Sequence, residues 1–251
     1  MKKIISIITP CYNEEQSIIE CYQTIRKLFE TELSNYELEH IFCDNASTDR
    51  TVALLKEIAS KDPHVKIIIN SRNFGILKNT YNGVVSATGD AVLLFMPVDL
   101  QDPPELIPSM VKRWEEGYEI VYGARARREE GFVLARARKI YYSLLSRLTY
   151  VDYPPNVGDF QLIDKKVLEA LKQIDDARPF MRLMTFDCGF KYIGFEYTWR
   201  ARKHGKSRNS LLELFDQALN GITSFSAAPL RLALILGFSV SLLSLLYAVS
   251  I

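Results

Sequence analysis

The chain has 251 residues, 48% of them hydrophobic and 24% charged, enough apolar material for one globular domain with something added, since domains commonly hold about 100–200 residues. Its 31 basic and 30 acidic residues leave a formal charge of +1, which excludes the broad positive field that gathers nucleic acid and makes any anion site local. The four cysteines, Cys11, Cys21, Cys43 and Cys188, share no paired spacing and read as free thiols of a reducing compartment, neither a disulfide framework nor metal ligands.

In chain order, Met1-Lys2-Lys3 followed by Ile4 to Ile8 has the outline of a signal peptide. Pro10 and the polar Asn13-Glu14-Glu15 cut the apolar stretch too short for one. Residues 4–9 read instead as a buried first strand ending at Pro10. Ser17 to Leu33 then has helical spacing through Ile18, Cys21, Tyr22, Ile25, Leu28 and Phe29. The alternation continues with a strand over Leu38–Cys43, a helix over Thr51–Ile58, a strand over Val65–Ile69, a helix over Asn79–Ala87 and a strand over Ala91–Met96. Strands alternating with helices predict a mostly parallel sheet covered on both faces. In such sheets ligands bind beyond the carboxyl ends of the strands, so the loops after Ile8, Cys43 and Met96 are expected to share one crevice.

The second half reads as a helix over Leu106–Glu116, a short strand over Ile120–Tyr122, a charged loop over Arg125–Gly131 and a basic helix over Val133–Leu148. A strand over Phe160–Ile163 follows, then a helix with Val167, Leu168, Leu171 and Ile174 on one stripe. Leu211 to Phe225 has a broad apolar face that suits either the headgroup layer of a membrane or the domain core. From Leu232 to Ile251 no residue is charged, a length that matches a hydrocarbon-spanning helix; a buried core helix is the competing reading. Because the sequence stops inside that run, a truncated span is expected. The expected organisation is a catalytic domain over 1–209, an interface helix over 210–228 and a transmembrane segment over 229–251.

Four post-strand loops hold polar residues where a strand-end crevice needs them: Thr9-Pro10-Cys11-Tyr12-Asn13-Glu14, Asp44-Asn45-Ala46-Ser47-Thr48-Asp49, Asp99-Leu100-Gln101-Asp102-Pro103-Pro104 and Gly158-Asp159-Phe160-Gln161. Asp49 and Asp164 taken alone read as helix caps. The ordered recurrence of such loops is the informative feature. A nucleoside diphosphate carries concentrated negative charge, which a hard divalent cation with oxygen ligands neutralises. Asp99 and Gln101, two apart beyond a strand, can present both side chains to one side. Arg125, Arg127, Arg128, Arg136, Arg138 and Lys139 crowd one stretch, suited either to a phosphate, which arginine grips bidentately, or to anionic headgroups. His40, His64 and His204 are scattered and read as surface or structural.

These motifs, with Arg72-Asn73-Phe74-Gly75 and Phe225-Ser226-Ala227-Ala228-Pro229-Leu230-Arg231, resemble the polyprenyl-phosphate glycosyltransferases of glycosyltransferase family 2, the group that includes dolichyl-phosphate mannose synthase and bactoprenol glucosyltransferases. The resemblance runs from Ile4 to about Arg231. It implies an α/β nucleotide-sugar-binding domain of the GT-A type, followed by membrane helices, with the catalytic domain on the cytoplasmic face of the cell membrane. It implies metal ligation by Asp99 and Gln101 with Mg²⁺ or Mn²⁺ as cofactor. It implies donor contacts from Thr9, Pro10, Tyr12, Glu14, Asp44, Asn45, Ser47, Asn73, Lys78 and Asp99, and acceptor-phosphate contacts from Arg125, Arg138, Lys139 and Ser143, with Arg200 and Arg202 as a second basic rim. Asp159 and Asp99 fall at catalytic positions, although an acceptor that is already an anion needs little proton abstraction. Direct attack by that anion inverts the anomeric centre.

Two departures stand out. Pro97 replaces the first Asp of the family's Asp-x-Asp-x-Gln motif, and Asn45 stands where a second Asp is common. The expected activity is transfer of a hexose, from UDP-glucose or a related UDP-sugar, to a polyprenyl phosphate. The alternatives are GDP-mannose chemistry of the dolichol kind, a degenerate membrane-anchored nucleotide-sugar binder, and transfer to a hydroxyl acceptor. The expected partners are the donor, the lipid acceptor and the membrane, with homo-oligomers forming through the membrane segment.

Overall fold

The computed structural model describes residues 2–127, 136, 154, 157–176, 179–200 and 226–250. The chain forms two compact units, Met1–Glu129 with Tyr153–Arg208, and Glu130–Asp152 with Asn209–Ile251. The expected helices over Val133–Leu148 and Leu211–Phe225 lie outside the described residues.

In the first unit the β-branched runs become β1 (Ile4–Cys11), β2 (Glu37–Asp44), β3 (Val65–Ile69) and β4 (Ala91–Leu93), connected by α1 (Ile18–Thr31), α2 (Thr51–Lys61) and α3 (Ile76–Val85). A 3₁₀ turn (Pro104–Leu106), α4 (Ile107–Glu115), β5 (Ile120–Arg127), β6 (Val157–Asp164), α5 (Lys165–Lys172), α6 (Met181–Asp187) and β7 (Tyr192–Thr198) complete it. All seven strands share one sheet, in the order β3-β2-β1-β4-β6-β5-β7. Neighbours are parallel except where β6 runs antiparallel to both β4 and β5. The sequence-based reading of a mostly parallel sheet therefore holds, with one reversed strand.

Several boundaries differ for physical reasons. β1 continues through Pro10 to Cys11, because β4 pairs only with Ile5–Ile7; beyond that point a proline removes no ladder bond on that side. β4 is three residues long where Ala91–Met96 was expected. β5 extends to Arg127 through what reads as a charged loop, because β7, a strand absent from the sequence reading, supplies partners as far as Arg125↔Tyr197 and Arg127↔Thr198. Pairing in the tertiary structure overrode the local charge there.

The core is built from Ile5, Ile7, Phe42, Leu93, Phe160 and Leu162 of the sheet with Ile18, Ile25, Leu55, Ile107 and Met110 of the helices. Helix α3 lies so close to β1 and β2 that a Cβ on Gly83 would stand 2.3 Å from Cys43 Sγ and 2.7 Å from Ile8 Cγ2. Only glycine permits that approach.

In the second unit α7 (Ala228–Ser250) is apolar on every side. Its stretch Leu230–Ser250, 21 residues of mean hydropathy 2.3, is long and apolar enough to cross a membrane, and among the described residues none of its side chains is buried.

Candidate active site

Strand β1 lies between β2 and β4, so the chain winds first to one side of β1 and then to the other. A crevice opens at such a switch point, outside the carboxyl ends of the strands. The loops after β1, β2 and β4 all emerge there. Among the described residues three non-glycine positions have positive φ, Asn13 (53°), Ala46 (62°) and Leu100 (54°), and each lies in one of these loops. Uncommon backbone conformations concentrate where a fold fixes functional groups.

The β1 and β2 loops are stitched together. Asn13 N donates to Ser47 Oγ (2.8 Å), Thr48 N to Asn13 Oδ1 (2.7 Å) and Glu14 N to Thr51 Oγ1 (2.9 Å). Asp44, the last residue of β2, is fully buried and accepts from Ser47 N at 2.9 Å. Asn45 donates through Nδ2 to Asn73 Oδ1 (2.7 Å), while its Oδ1 accepts from Phe74 N (2.9 Å) and from Asn70 Nδ2 (3.3 Å). The loop carrying Asn73 is thereby latched to the end of β2, and Gly75 at φ 82° turns it into α3. Lys78 is exposed on the first turn of that helix. Asp164 is the N-cap of α5 and accepts from Lys166 N, as expected; Asp49, expected as a cap, stands one residue before the N-cap Arg50 of α2 and accepts from Thr51 N.

Thr9, expected on the pocket wall, is instead fully buried, its hydroxyl hydrogen-bonded to His40 Nε2 at 2.9 Å. Burial pushes His40 down to about 3, so it is a neutral core residue and not a proton carrier. Cys11 Sγ lies 4.0 Å from Asp44 Oδ1. Burial raises the thiol pKa of both Cys11 and Cys21, with Asp44 adding to the first and Asp99 to the second.

In the loop after β4, Leu100 N donates to Pro97 O (3.0 Å) and Gln101 N to Asp99 Oδ1 (3.3 Å). Asp99 is 8% exposed. Gln101 is clamped to the end of β7, its Nε2 donating to Arg200 O (3.2 Å) and Arg200 N to Gln101 O (3.0 Å). With the amide nitrogen committed, the side-chain oxygen is the end left to act as a ligand. A cavity of about 140 Å³ beside the loop is lined by Glu20, Thr24, Asp99, Leu100, Pro104, Glu105 and Arg200.

Because β6 is antiparallel to β4 and β5, its first residues lie at the same rim as the carboxyl ends of the other strands. Asp159 and Arg125 therefore join the crevice from β6 and β5. Arg125 Nη2 donates to both oxygens of Asp102 (3.1 and 3.0 Å) and its Nε to the Tyr197 hydroxyl (3.1 Å), which itself donates to Asp102. Its guanidinium lies 5.1 Å from the Trp199 ring centre. Asp102 is fully buried; burial pushes its carboxyl up, against the pull of Arg125 and the Tyr197 hydroxyl. Asp159 is held by Arg182, Nε to Oδ1 at 3.1 Å and Nη2 to Oδ2 at 2.5 Å. Arg138, Lys139, Ser143 and Arg202 lie outside the described residues.

Tyr197 and Arg182 escaped the sequence reading as site residues, and Asp102 entered it only as part of the Asp99 loop, with no role of its own. The alternation Ile193, Phe195, Tyr197 is a period-two signal that locates β7. Arg182 sits in a helix of seven residues, too short to leave a periodic signature.

A model described as Glycosyl transferase family 2 matches residues 6–172. The chain is 40% identical over 243 residues to YkcC of Bacillus subtilis (strain 168), an uncharacterized glycosyltransferase, covering 96% of this chain and 74% of that one. It is 34% identical over 244 residues to the bactoprenol glucosyl transferase of Shigella phage SfV, covering 97% and 78%. Glucosyl-3-phosphoglycerate synthase from Mycobacterium tuberculosis, in a crystal structure with Mn²⁺, UDP and phosphoglyceric acid, has a TM-score of 0.59 at 21% identity over 88% of this chain and 76% of that one, a likeness that carries the GT-A fold alone. With a family model covering residues 6–172 and relatives this similar along nearly the whole chain, the protein belongs to glycosyl transferase family 2 and is a glycosyltransferase.

Proposed function

We propose that the chain transfers a hexose with inversion from a nucleoside-diphosphate sugar of the UDP-glucose kind to the phosphate of a polyprenyl lipid. The observation that carries this reading is the pairing of two chemistries at one rim. Asp44, Asn45 and Asp99 lie on the switch-point loops, and Arg125 and Asp159 lie on β5 and β6 beside them. The likeness to a bactoprenol glucosyl transferase over 97% of the chain supports the choice of acceptor.

On the donor side, buried Asp44 holds the Ser47 turn at the nucleoside end through Ser47 N, while the Asn45–Asn73 latch and Lys78 face the diphosphate. The donor set Asp99 and Gln101 is all oxygen, which suits Mg²⁺ or Mn²⁺. Among the described residues no group of three acidic, histidine or cysteine side chains is placed to hold a metal. The fit is thus to a cation held by one carboxylate, one amide oxygen and the donor's own phosphate oxygens. When bound, such a cation neutralises charge on the departing diphosphate. Arg125 orients the acceptor phosphate, whose oxygen attacks the anomeric carbon as the bond to the diphosphate breaks and the nucleoside diphosphate leaves with the electron pair. We assign residues 1–209 to catalysis, 210–228 to a membrane-interface helix and 229–251 to a membrane anchor, with catalysis at the cytoplasmic face.

The test is transfer of radiolabel from a panel of nucleotide-sugars in the presence of short polyprenyl phosphates. Label entering the organic phase from UDP-glucose, and only with a divalent cation, is the expected result. Label that enters only from GDP-mannose overturns the donor assignment, and transfer that persists without lipid overturns the acceptor assignment. Nucleotide binding without any product reduces the protein to a binder.

A further inference from the structure

Asp159 and Arg182 meet fork to fork at the rim, both carboxylate oxygens engaged by the guanidinium edge. The pair is open, the side chains being 29% and 22% exposed. A bidentate pair of this kind fixes the orientation of the carboxylate as well as attracting it. Beneath them lies Gln161 on β6, fully buried. Its Nε2 donates both to the carbonyl of Gly158 (2.9 Å), the residue before Asp159, and to the carbonyl of Arg182 (3.2 Å). Its Oε1 accepts from the hydroxyl of buried Thr185 at 2.8 Å. One satisfied, buried amide thus fixes the main chain on both sides of the pair.

The charged groups brought to Asp159 include Arg182 from α6, Arg125 from β5 and Asp102 from the loop after β4. Arg125 also packs over Gly158, its Nε 3.6 Å from where a Cβ would stand.

We propose that Arg182 is a positioning residue for Asp159, the two carried on Gln161 as a preset unit, and that Asp159 serves as a fixed anion instead of a proton acceptor. The inference rests on the proposed reaction, in which the acceptor is already anionic and has no proton to surrender. A carboxylate held in place beside Arg125 faces the positive charge that builds at the anomeric carbon as the leaving group departs, and a preset anion needs no reorganisation to stabilise it.

The experiment compares the full-length protein with Arg182→Gln, Arg182→Lys, Asp159→Asn and the double variant Arg182→Gln/Asp159→Asn, reading kcat, KM for each substrate and the pH profile. Arg182→Gln is expected to lower kcat by about tenfold or more with donor KM unchanged. It should also raise the acid limb of the profile by roughly 1–3 pH units, since a carboxylate that loses a cationic neighbour protonates more readily. Arg182→Lys restores the charge without the fork, so the acid limb returns while kcat recovers only in part. The double variant should be no worse than the poorer single one.

The proposal is overturned if Arg182→Gln keeps the parental kcat and acid limb, or if the two single effects multiply. Should Arg182→Gln fail to fold, the lysine variant decides: a shifted acid limb, or a kcat equal to that of the parent, is fatal. Failure of the parent protein to use any polyprenyl phosphate marks the acceptor reading as wrong, and the Arg182 comparison is then read on whichever acceptor takes the sugar.

Discussion

The family resemblance places an Asp at the position of Asn45, and Asn45→Asp is the change that looks most like a repair. The structure says otherwise. Asn45 is 4% exposed and its Nδ2 donates to Asn73 Oδ1 at 2.7 Å. The variant keeps both acceptor bonds of Oδ1 but sets a second carboxylate oxygen against the Asn73 oxygen. Asn73 cannot relieve the clash by turning its amide over, because the same oxygen accepts from Gly75 N at 2.9 Å; a flip only moves the conflict to that bond. Losing the hydrogen bond costs about 1 kcal/mol, and leaving a nearly buried anion against an acceptor costs about 1–3 more, so roughly 2–4 kcal/mol in all. At about 2–4 °C per kcal/mol for chains of this size, the midpoint of thermal unfolding falls by roughly 4–16 °C.

The sign with pH is a second readout of the same change. The introduced carboxylate is disfavoured in its charged form by the fold, so its folded-state pKa is raised. The penalty is present above that value and is relieved as pH falls through it, when the protonated group can donate to Asn73 again. Thermal melts from pH 8 to pH 4, with calorimetric titration of UDP at neutral pH, check both. A variant as stable as the parent at pH 8, with unchanged or tighter nucleotide binding, refutes the latch.

Pro97→Asp, in contrast, adds a carboxylate two residues before Asp99 and should tighten Mn²⁺ binding in the presence of UDP by about tenfold or more, read by calorimetry; unchanged affinity removes the Asp99 loop from the cation site. Tyr197→Phe takes one hydrogen-bond partner each from buried Asp102 and from Arg125 Nε, and should cost about 1–3 kcal/mol in urea unfolding, with a higher KM for the lipid and an unchanged one for the donor. Acid should destabilise the fold in two steps. His40, pushed by burial from an ordinary value near 6.5 to about 3, contributes stability that is whole above pH 6.5 and drains at up to about 1.4 kcal/mol per pH unit below it. Burial alone would raise the Glu39 pKa, but Lys66, Ser6 and Thr88 together hold it below its usual range, so its share is lost only below about pH 4.5. His40→Gln should abolish the first slope in urea titrations and leave the second.

The sequence by itself determined the α/β alternation and the polar strand-end segments at Asp44 and Asp99, because period-two and period-3.6 patterns and strand-end polar residues are local properties; Asp159, expected on a post-strand loop, lies instead within β6, whose antiparallel ladder absorbs that segment. It also marked the apolar run that becomes α7, since composition alone makes a helix of that length fit to span a membrane. Only the tertiary structure decided that Thr9 belongs to the core, that β5 runs on through Arg125, that Tyr197 meets Asp102 and that Arg182 meets Asp159. Those facts depend on which strands pair across long stretches of chain, as Arg125 does with Tyr197. An ion pair such as Asp102 with Arg125 leaves no mark in either residue's neighbours along the sequence.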